Sequence, residues 1–159
     1  MSLTYLPEYA EQAMQVLDLA KKEAAHLGYT HRTLFTHSID IEWVKSLEQR
    51  QELAEKIDAF VGRFGRLQDH IGEKLIPRFA QLLGESPKSL LDVLAYAEKM
   101  GWLESAETFV GVRKLRNLLV HEYLSDTELF LESLQAADHA AQMLISIVKK
   151  LSTMPTCST

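Results

Sequence analysis

Hydrophobic residues recur every three or four positions along three long stretches of the chain, in the period of an amphipathic helix. The regularity is clearest near the C-terminus, where apolar residues alternate at spacings of four and three. These positions are Phe130, Leu134, Ala137, Ala141, Leu144, Val148 and Leu151. Such stripes bury against other helices. We therefore predict an all-α fold, an up-and-down bundle of four to five helices.

Glycine and proline suggest where the first two long helices begin and end. Pro7 suits a first turn, and Gly28 is a typical stop, which predicts helix one over about 7–27. The second helix is predicted to begin at the capping-box pattern of residues 46–49 and to end at Gly84. Pro77 should kink it, because proline removes a backbone donor.

The remaining boundaries are read from capping residues. Ser86 followed by Pro87 predicts the start of a short helix that Gly101 ends, and Ser105 can cap the next one. A second capping-box pattern at residues 125–128 requires that helix to end near Tyr123. Residues 29–45 have no clean period; a short strand is possible, but a helical lead-in is the preferred interpretation.

Length and composition indicate one domain, predicted as a bundle over 1–152 with a flexible tail over 153–159. The single cysteine, Cys157, lies in that tail, where nothing suggests a reactive thiol. We find neither a signal-peptide pattern nor an apolar stretch of about 18 residues. A cytoplasmic protein without a membrane span is therefore expected.

Charge is distributed unevenly along the chain. The formal net charge is −5, yet residues 109–121 carry Arg113, Lys114 and Arg116 and no acid. This segment is thus +3, and the remainder is −8. A globally acidic protein attracts nucleic acid weakly, so contact with phosphate would need such a local concentration of cations.

The same segment ends in the one chemically distinctive motif, which contains Arg116, Asn117, His121 and Tyr123. On an ideal helix Arg116 and His121 point roughly 140° apart, whereas Asn117 and His121 share a face. The side chains of Arg116 and His121 converge only if His121 leaves the helical path or if two protomers contribute one residue each. A structural alternative is that Arg116 and His121 merely complement the helix dipole and cap carbonyls.

Arg116, four residues, His121, one residue and Tyr123 resemble the Arg-x4-His-x-Tyr signature of the HEPN superfamily, with a polar Asn117 after the arginine. The preceding segment from Gly101 is similar to HEPN toxins that are paired with minimal nucleotidyltransferases. The motif-level resemblance covers about 90–125, and the helix order extends it to about 5–150.

The resemblance implies a metal-independent RNA endonuclease, a hydrolase and toxin that acts as a homodimer with two motifs facing one cleft. Arg116 would hold the scissile phosphate, His121 would act as general acid or base, and Asn117 would support them. Tyr123 would shape the site and accept AMP from the nucleotidyltransferase antitoxin, which silences the toxin. The resemblance implies no cofactor, and RNA would be the substrate.

Two alternatives stay open. One is a non-catalytic HEPN bundle that binds a nucleotidyltransferase or its substrate. The other is a bundle with a metal site, for which His70 and Glu73 have suitable spacing. One such pair is common by chance and no second pair is evident, so we predict no metal. Arg63 and Arg66 could widen the basic cleft, but a solvated charged face is preferred.

Overall fold

The computed structural model describes residues 5–123 and 125–154. Its α-helices are α1 (Ala10–Leu34), α2 (Ile41–Lys45), α3 (Gln51–His70), α4 (Ile76–Leu82), α5 (Leu90–Lys99), α6 (Ala106–His121) and α7 (Thr127–Ser152). Shorter turns occupy Pro7–Tyr9, Ser46–Glu48 and, as a π-helix, Ile71–Leu75. No strand occurs in the described ranges, so the all-α prediction is confirmed.

Four long helices, α1, α3, α6 and α7, form the body of the bundle. Each packs mainly on two neighbours in the order α1, α3, α6, α7 and back to α1, and α3 also touches α7 across the bundle. Neighbours run in opposite directions: His70 late in α3 meets Val16 early in α1, while Arg63 meets Thr30. The arrangement is therefore the up-and-down bundle that the hydrophobic stripes predict.

The core is filled by apolar side chains from all four helices. Every member of the predicted α7 stripe is buried, as the alternating spacing requires. Five phenylalanines are fully enclosed and account for much of the core volume: Phe60, Phe64, Phe79, Phe109 and Phe130. Burial of such rings is the main stabilising term for a bundle of this size.

Gly28 does not end helix one, contrary to the sequence prediction. α1 continues to Leu34, and Gly28 is buried in its interior, where an added Cβ would meet Arg32 Nη1 at 3.2 Å and Ile145 Cδ1 at 3.8 Å. Gly28 therefore lies within the helix, and the group nearest to it is the Arg32 guanidinium of α1 itself. The segment 29–45 is helical only at its two ends, since α1 ends at Leu34, residues 35–40 are not helical and α2 begins at Ile41. Asp40 caps α2 by accepting from the Trp43 amide at 2.8 Å.

The start of the second long helix was also predicted wrongly. Ser46 lies in a 3-10 turn, where its hydroxyl donates to the Trp43 carbonyl, and α3 begins only at Gln51. Pro77 is accommodated by the π-helical turn Ile71–Leu75 directly before it. The wider turn rearranges the backbone hydrogen bonds ahead of the proline; the predicted kink stays a prediction.

In the next segment the helix ends predicted from glycine are confirmed, whereas the helix start predicted from serine is wrong. Gly84 and Gly101 both have positive φ, +88° and +78°, and end their helices as predicted. α5, however, is capped by Ser89, whose hydroxyl accepts from the Asp92 amide, so the prediction at Ser86 and Pro87 is wrong.

The start of α7 is set one residue later than the capping-box pattern suggests. Asp126 is the N-cap and accepts from the Leu129 amide at 3.0 Å, while Ser125 donates its hydroxyl back to the His121 carbonyl. Of the predicted tail, Met154 is buried; residues 155–159, with Cys157, lie outside the described residues. No helix in the described part of the chain is both long and apolar enough to cross a membrane.

Candidate functional site

α6 carries three of the four motif residues. Its start is fixed by Ser105, whose hydroxyl accepts from the Thr108 amide at 3.2 Å, and by Glu98, whose carboxylate accepts from the Ala106 amide at 2.9 Å. Its last residue is His121, after which Glu122 donates its amide to the Leu118 carbonyl. The motif therefore stands where the helix ends, as predicted.

Arg116 lies on the flank of α6 that faces α3. Its Nη2 is 3.4 Å from Asp69 Oδ2, and the two side chains are 37% and 34% exposed. The guanidinium passes directly over Gly65, since a Cβ at that position would stand 2.8 Å from Arg116 Nε. Arg116 is thus held by α3 at the surface, partly neutralised and still accessible to an anion.

His121 and Asn117 lie on the outward face of the same helix, and both are exposed. Because α6 remains helical through His121, this imidazole projects roughly 140° around the axis from Arg116. Of the two alternatives left open by the sequence, the departure of His121 from the helical path does not occur. One protomer therefore does not bring Arg116 and His121 together, which leaves a composite of two protomers as the arrangement that could.

Tyr123 follows in the connection to α7 and is half-buried. Its ring packs on Phe130 with centroids 5.1 Å apart. Burial, and secondarily the negative charge of Asp58, raises the pKa of the Tyr123 phenol above its usual value. The residue therefore stays protonated near neutral pH and anchors the connection to the first turn of α7.

The other cations of the segment are accessible. Arg113 and Lys114 are both exposed on α6, so the positive charge read from the sequence is presented to solvent. Arg63 and Arg66 do not extend this surface. Arg63 donates instead to the His26 carbonyl of α1, on the other flank of α3, so the idea that they widen the cleft is wrong.

Sequence reasoning missed the α3 residues that surround the motif. Asp69 pairs with Arg116, Gly65 leaves room for its guanidinium, and Asp58 faces Tyr123. These contacts join segments far apart in the chain, and no local pattern marks them. A single sequence contains no pattern that would identify Gly65 as the residue opposite the Arg116 side chain.

The histidine considered for a metal is engaged otherwise. His70 is buried, and its Nε2 lies 3.1 Å from the Val16 carbonyl oxygen, to which it can donate. Across residues 5–123 and 125–154, no group of three His, Cys, Asp or Glu side chains is close enough to hold a metal ion.

The Arg116–Asp69 pair gives a direct prediction. A phosphate approaching Arg116 also meets the negative charge of Asp69, so Asp69→Asn should strengthen RNA binding. The gain should be modest, up to about fivefold, because the pair is a third exposed and such pairs contribute little. Fluorescence anisotropy at low salt would measure it, with Asp18→Asn on the exposed face of α1 as the control for net charge. Equal effects of the two changes would contradict a specific role for Asp69.

A groove of about 520 Å³ lies between α6 and α7, mainly apolar and lined by residues such as Leu115, Leu118 and Met143. It occupies the flank of α6 opposite Arg116. The motif itself is therefore a surface feature rather than an enclosed pocket of one protomer. No family model matches the chain, and comparison with curated proteins and with solved structures finds no match either.

Proposed function

We propose that the protein is a cytoplasmic, metal-independent endoribonuclease of the HEPN type that acts as a homodimer. A nucleotidyltransferase antitoxin would neutralise it. The observation that carries the proposal is the motif at the end of α6, with an exposed histidine and an arginine that an anion can reach. The resemblance supplies the chemistry, and the bundle is compatible with it.

In the proposed reaction, Arg116 binds the scissile phosphate through its two parallel donors and stays charged as negative charge develops. His121 accepts the proton of the ribose 2′-hydroxyl, whose oxygen forms a bond to phosphorus while the bond from phosphorus to the 5′-oxygen breaks. The proton then passes to the leaving 5′-oxygen. A histidine suits both steps because its unperturbed pKa is about 6.5.

The site is proposed to combine Arg116 of one protomer with His121 of the other. The separation of these side chains around α6 makes a single-protomer site geometrically unfavourable. A two-fold dimer with α6 ends facing each other would place complementary halves across one cleft, since the same surface is presented by both copies.

Mixing two inactive variants tests this arrangement. Arg116→Ala and His121→Ala should each be inactive, but a mixture that exchanges subunits should regain about a quarter of the activity. Half of the dimers are then mixed, and each holds one complete site of two. Light scattering should show dimers throughout. No recovery in a mixture proven to exchange, or a strictly monomeric protein at micromolar concentration, would contradict the composite site.

Tyr123 is expected to be the modified residue. Co-expression with a cognate nucleotidyltransferase should add AMP to its phenol and stop cleavage, because a phosphate beside the motif repels RNA. Mass spectrometry would map the site. Tyr123→Phe should escape modification while keeping the ring contact with Phe130. Modification of Tyr29, which is 61% exposed, or of Tyr96 would contradict the assignment.

A second candidate is supported by the Arg116–Asp69 pair. An arginine already bound by a carboxylate fits a structural role, as in a non-catalytic bundle that binds a nucleotidyltransferase or its substrate. Measurements on the wild-type protein distinguish this candidate from the endoribonuclease. Purified protein that binds the nucleotidyltransferase yet cleaves no RNA, before or after phosphodiesterase removal of AMP, would favour the second candidate.

A further inference from the structure

The groove between α1 and α3 contains a second cluster of charged side chains, separate from the motif. A cavity of about 210 Å³ is lined there by Lys22, Glu23, His26, Arg63 and Arg66. Three permanent cations and one carboxylate give the lining a charge of +2 with His26 neutral. In a chain of net charge −5, this concentration of cations favours an anionic ligand.

Arg63 is held in place before any ligand arrives. It is half-buried, and its Nη1 donates to the His26 carbonyl and to the Thr30 hydroxyl. Its remaining donors are therefore oriented by α1 rather than freely rotating in solvent. A guanidinium fixed in this way loses little conformational entropy when it binds a phosphate.

Glu23 contributes an acceptor to the same cavity. Its Oε2 is shielded from solvent, and no donor in the described part of the chain reaches it. The Glu23 carboxylate also lines the cavity, where it is placed to accept a hydrogen bond from a ligand that carries a hydroxyl group. A carboxylate repels the ionised oxygens of a bare phosphate and accepts from a sugar hydroxyl, so the cavity suits a phosphate that is joined to a sugar.

An exposed aromatic residue lies on the same face of α1 as residues that line the cavity. Tyr29 is 61% exposed and follows His26 by three residues on α1, so the two side chains are neighbours on one face of the helix. An exposed aromatic side chain next to cations is the combination that binds nucleotides, because the base stacks on the ring while the phosphate meets the charges.

We propose that this groove binds a ribonucleotide, either free or as one unit of a single-stranded RNA. Its phosphate contacts Lys22, Arg63 and Arg66, a ribose hydroxyl donates to Glu23, and the base stacks on Tyr29. The site lies on the α1 flank of α3, whereas Arg116 contacts the α6 flank. It is independent of the proposed cleavage reaction and would exist in a protein that cuts no RNA.

Three probes of increasing size test each part of the site by isothermal titration calorimetry: inorganic phosphate, ribose 5-phosphate and adenosine 5′-monophosphate. Affinity should rise in that order. Glu23→Ala should weaken the two ribose-containing probes but not inorganic phosphate. Tyr29→Ala should weaken only the nucleotide, by about tenfold, as expected for the loss of one stacked base.

Charge reversals identify the location. Lys22→Glu and Arg66→Glu should abolish binding of all three probes, whereas Lys150→Glu, which makes the same charge change at an exposed position on α7, should not. Lys22, Arg66 and Tyr29 are exposed and Glu23 is half-buried, and circular dichroism would verify that the helices persist.

Binding of a labelled single-stranded oligoadenylate distinguishes a free nucleotide from a nucleotide that is one unit of RNA. If Lys22→Glu and Arg66→Glu release it and the monophosphate competes with it, the ligand is a unit of RNA. If only the monophosphate binds, the ligand is a free nucleotide. Equal affinity for the three probes, no binding at millimolar concentration, or reversals no stronger than Lys150→Glu would overturn the proposal.

Discussion

Alanine in place of His121 is expected to abolish RNA cleavage without unfolding the protein. The imidazole is the motif group that exchanges protons near neutral pH, and loss of such a group typically lowers the rate by about 10²–10⁴-fold. Arg116→Ala should have a comparable effect, because the developing charge on phosphate then lacks a fixed cation. Cleavage of a single-stranded RNA by purified dimer would measure both.

Folding and metal controls make this result interpretable. His121 is exposed and Arg116 is a third exposed, so neither substitution opens a cavity in the core. Circular dichroism should stay helical, and wild-type cleavage should persist in EDTA. An active His121→Ala protein, or activity lost on chelation, would exclude the mechanism. Loss of helical signal in the variants would instead support the role of these residues in ending α6.

Adding one methyl group at Gly65 is expected to lower cleavage by about 10- to 100-fold, the second-largest effect we anticipate. The new Cβ would stand 2.8 Å from Arg116 Nε, too close for contact, so the flexible guanidinium must move away from α3 and from Asp69. Displacing a catalytic group by about 1 Å can cost about 100-fold in rate. Steady-state kinetics on the same RNA would show it.

Gly62→Ala is the matched control, one helical turn earlier on α3. A Cβ there has nothing within 4 Å, so Arg116 should stay in place. Both substitutions replace a helical glycine with alanine, which favours the helix by roughly 0.5–1 kcal/mol. Thermal denaturation should therefore show a gain for Gly62→Ala. If both variants cleave equally well, the close approach of Arg116 to Gly65 has no role in activity.

The buried stripe of α7 shows which structural features the periodicity of the sequence can predict. Every position that its spacing predicts as inward is buried, because a helix turns through a fixed angle per residue and one face meets the core. The buried face also includes Ser133, Ala140 and Ile147, which the spacing does not predict. The helix ends at Gly84 and Gly101 are also predicted from the sequence, since glycine adopts a positive φ at low cost. Local signals of this kind need no knowledge of neighbours.

Gly28 and Ser46 show where such signals fail. Both have the residue type of a helix boundary, yet Gly28 lies inside α1, and Ser46 donates its hydroxyl to a preceding carbonyl. A residue type that serves two purposes is ambiguous in one sequence. The conformation of the surrounding chain decides which purpose applies.

By itself, the sequence determined the helical class, the inward faces and the motif with its concentration of positive charge, because periodicity, residue type and formal charge are properties of a single segment. Only the tertiary structure decided that α3 holds Arg116 through Asp69 and Gly65, and that Arg63 turns toward α1. It also decided that His121 stays on the helix and so faces away from Arg116. These facts depend on which helices become neighbours and on their register, and that is set by the packing of the whole core rather than by any local pattern.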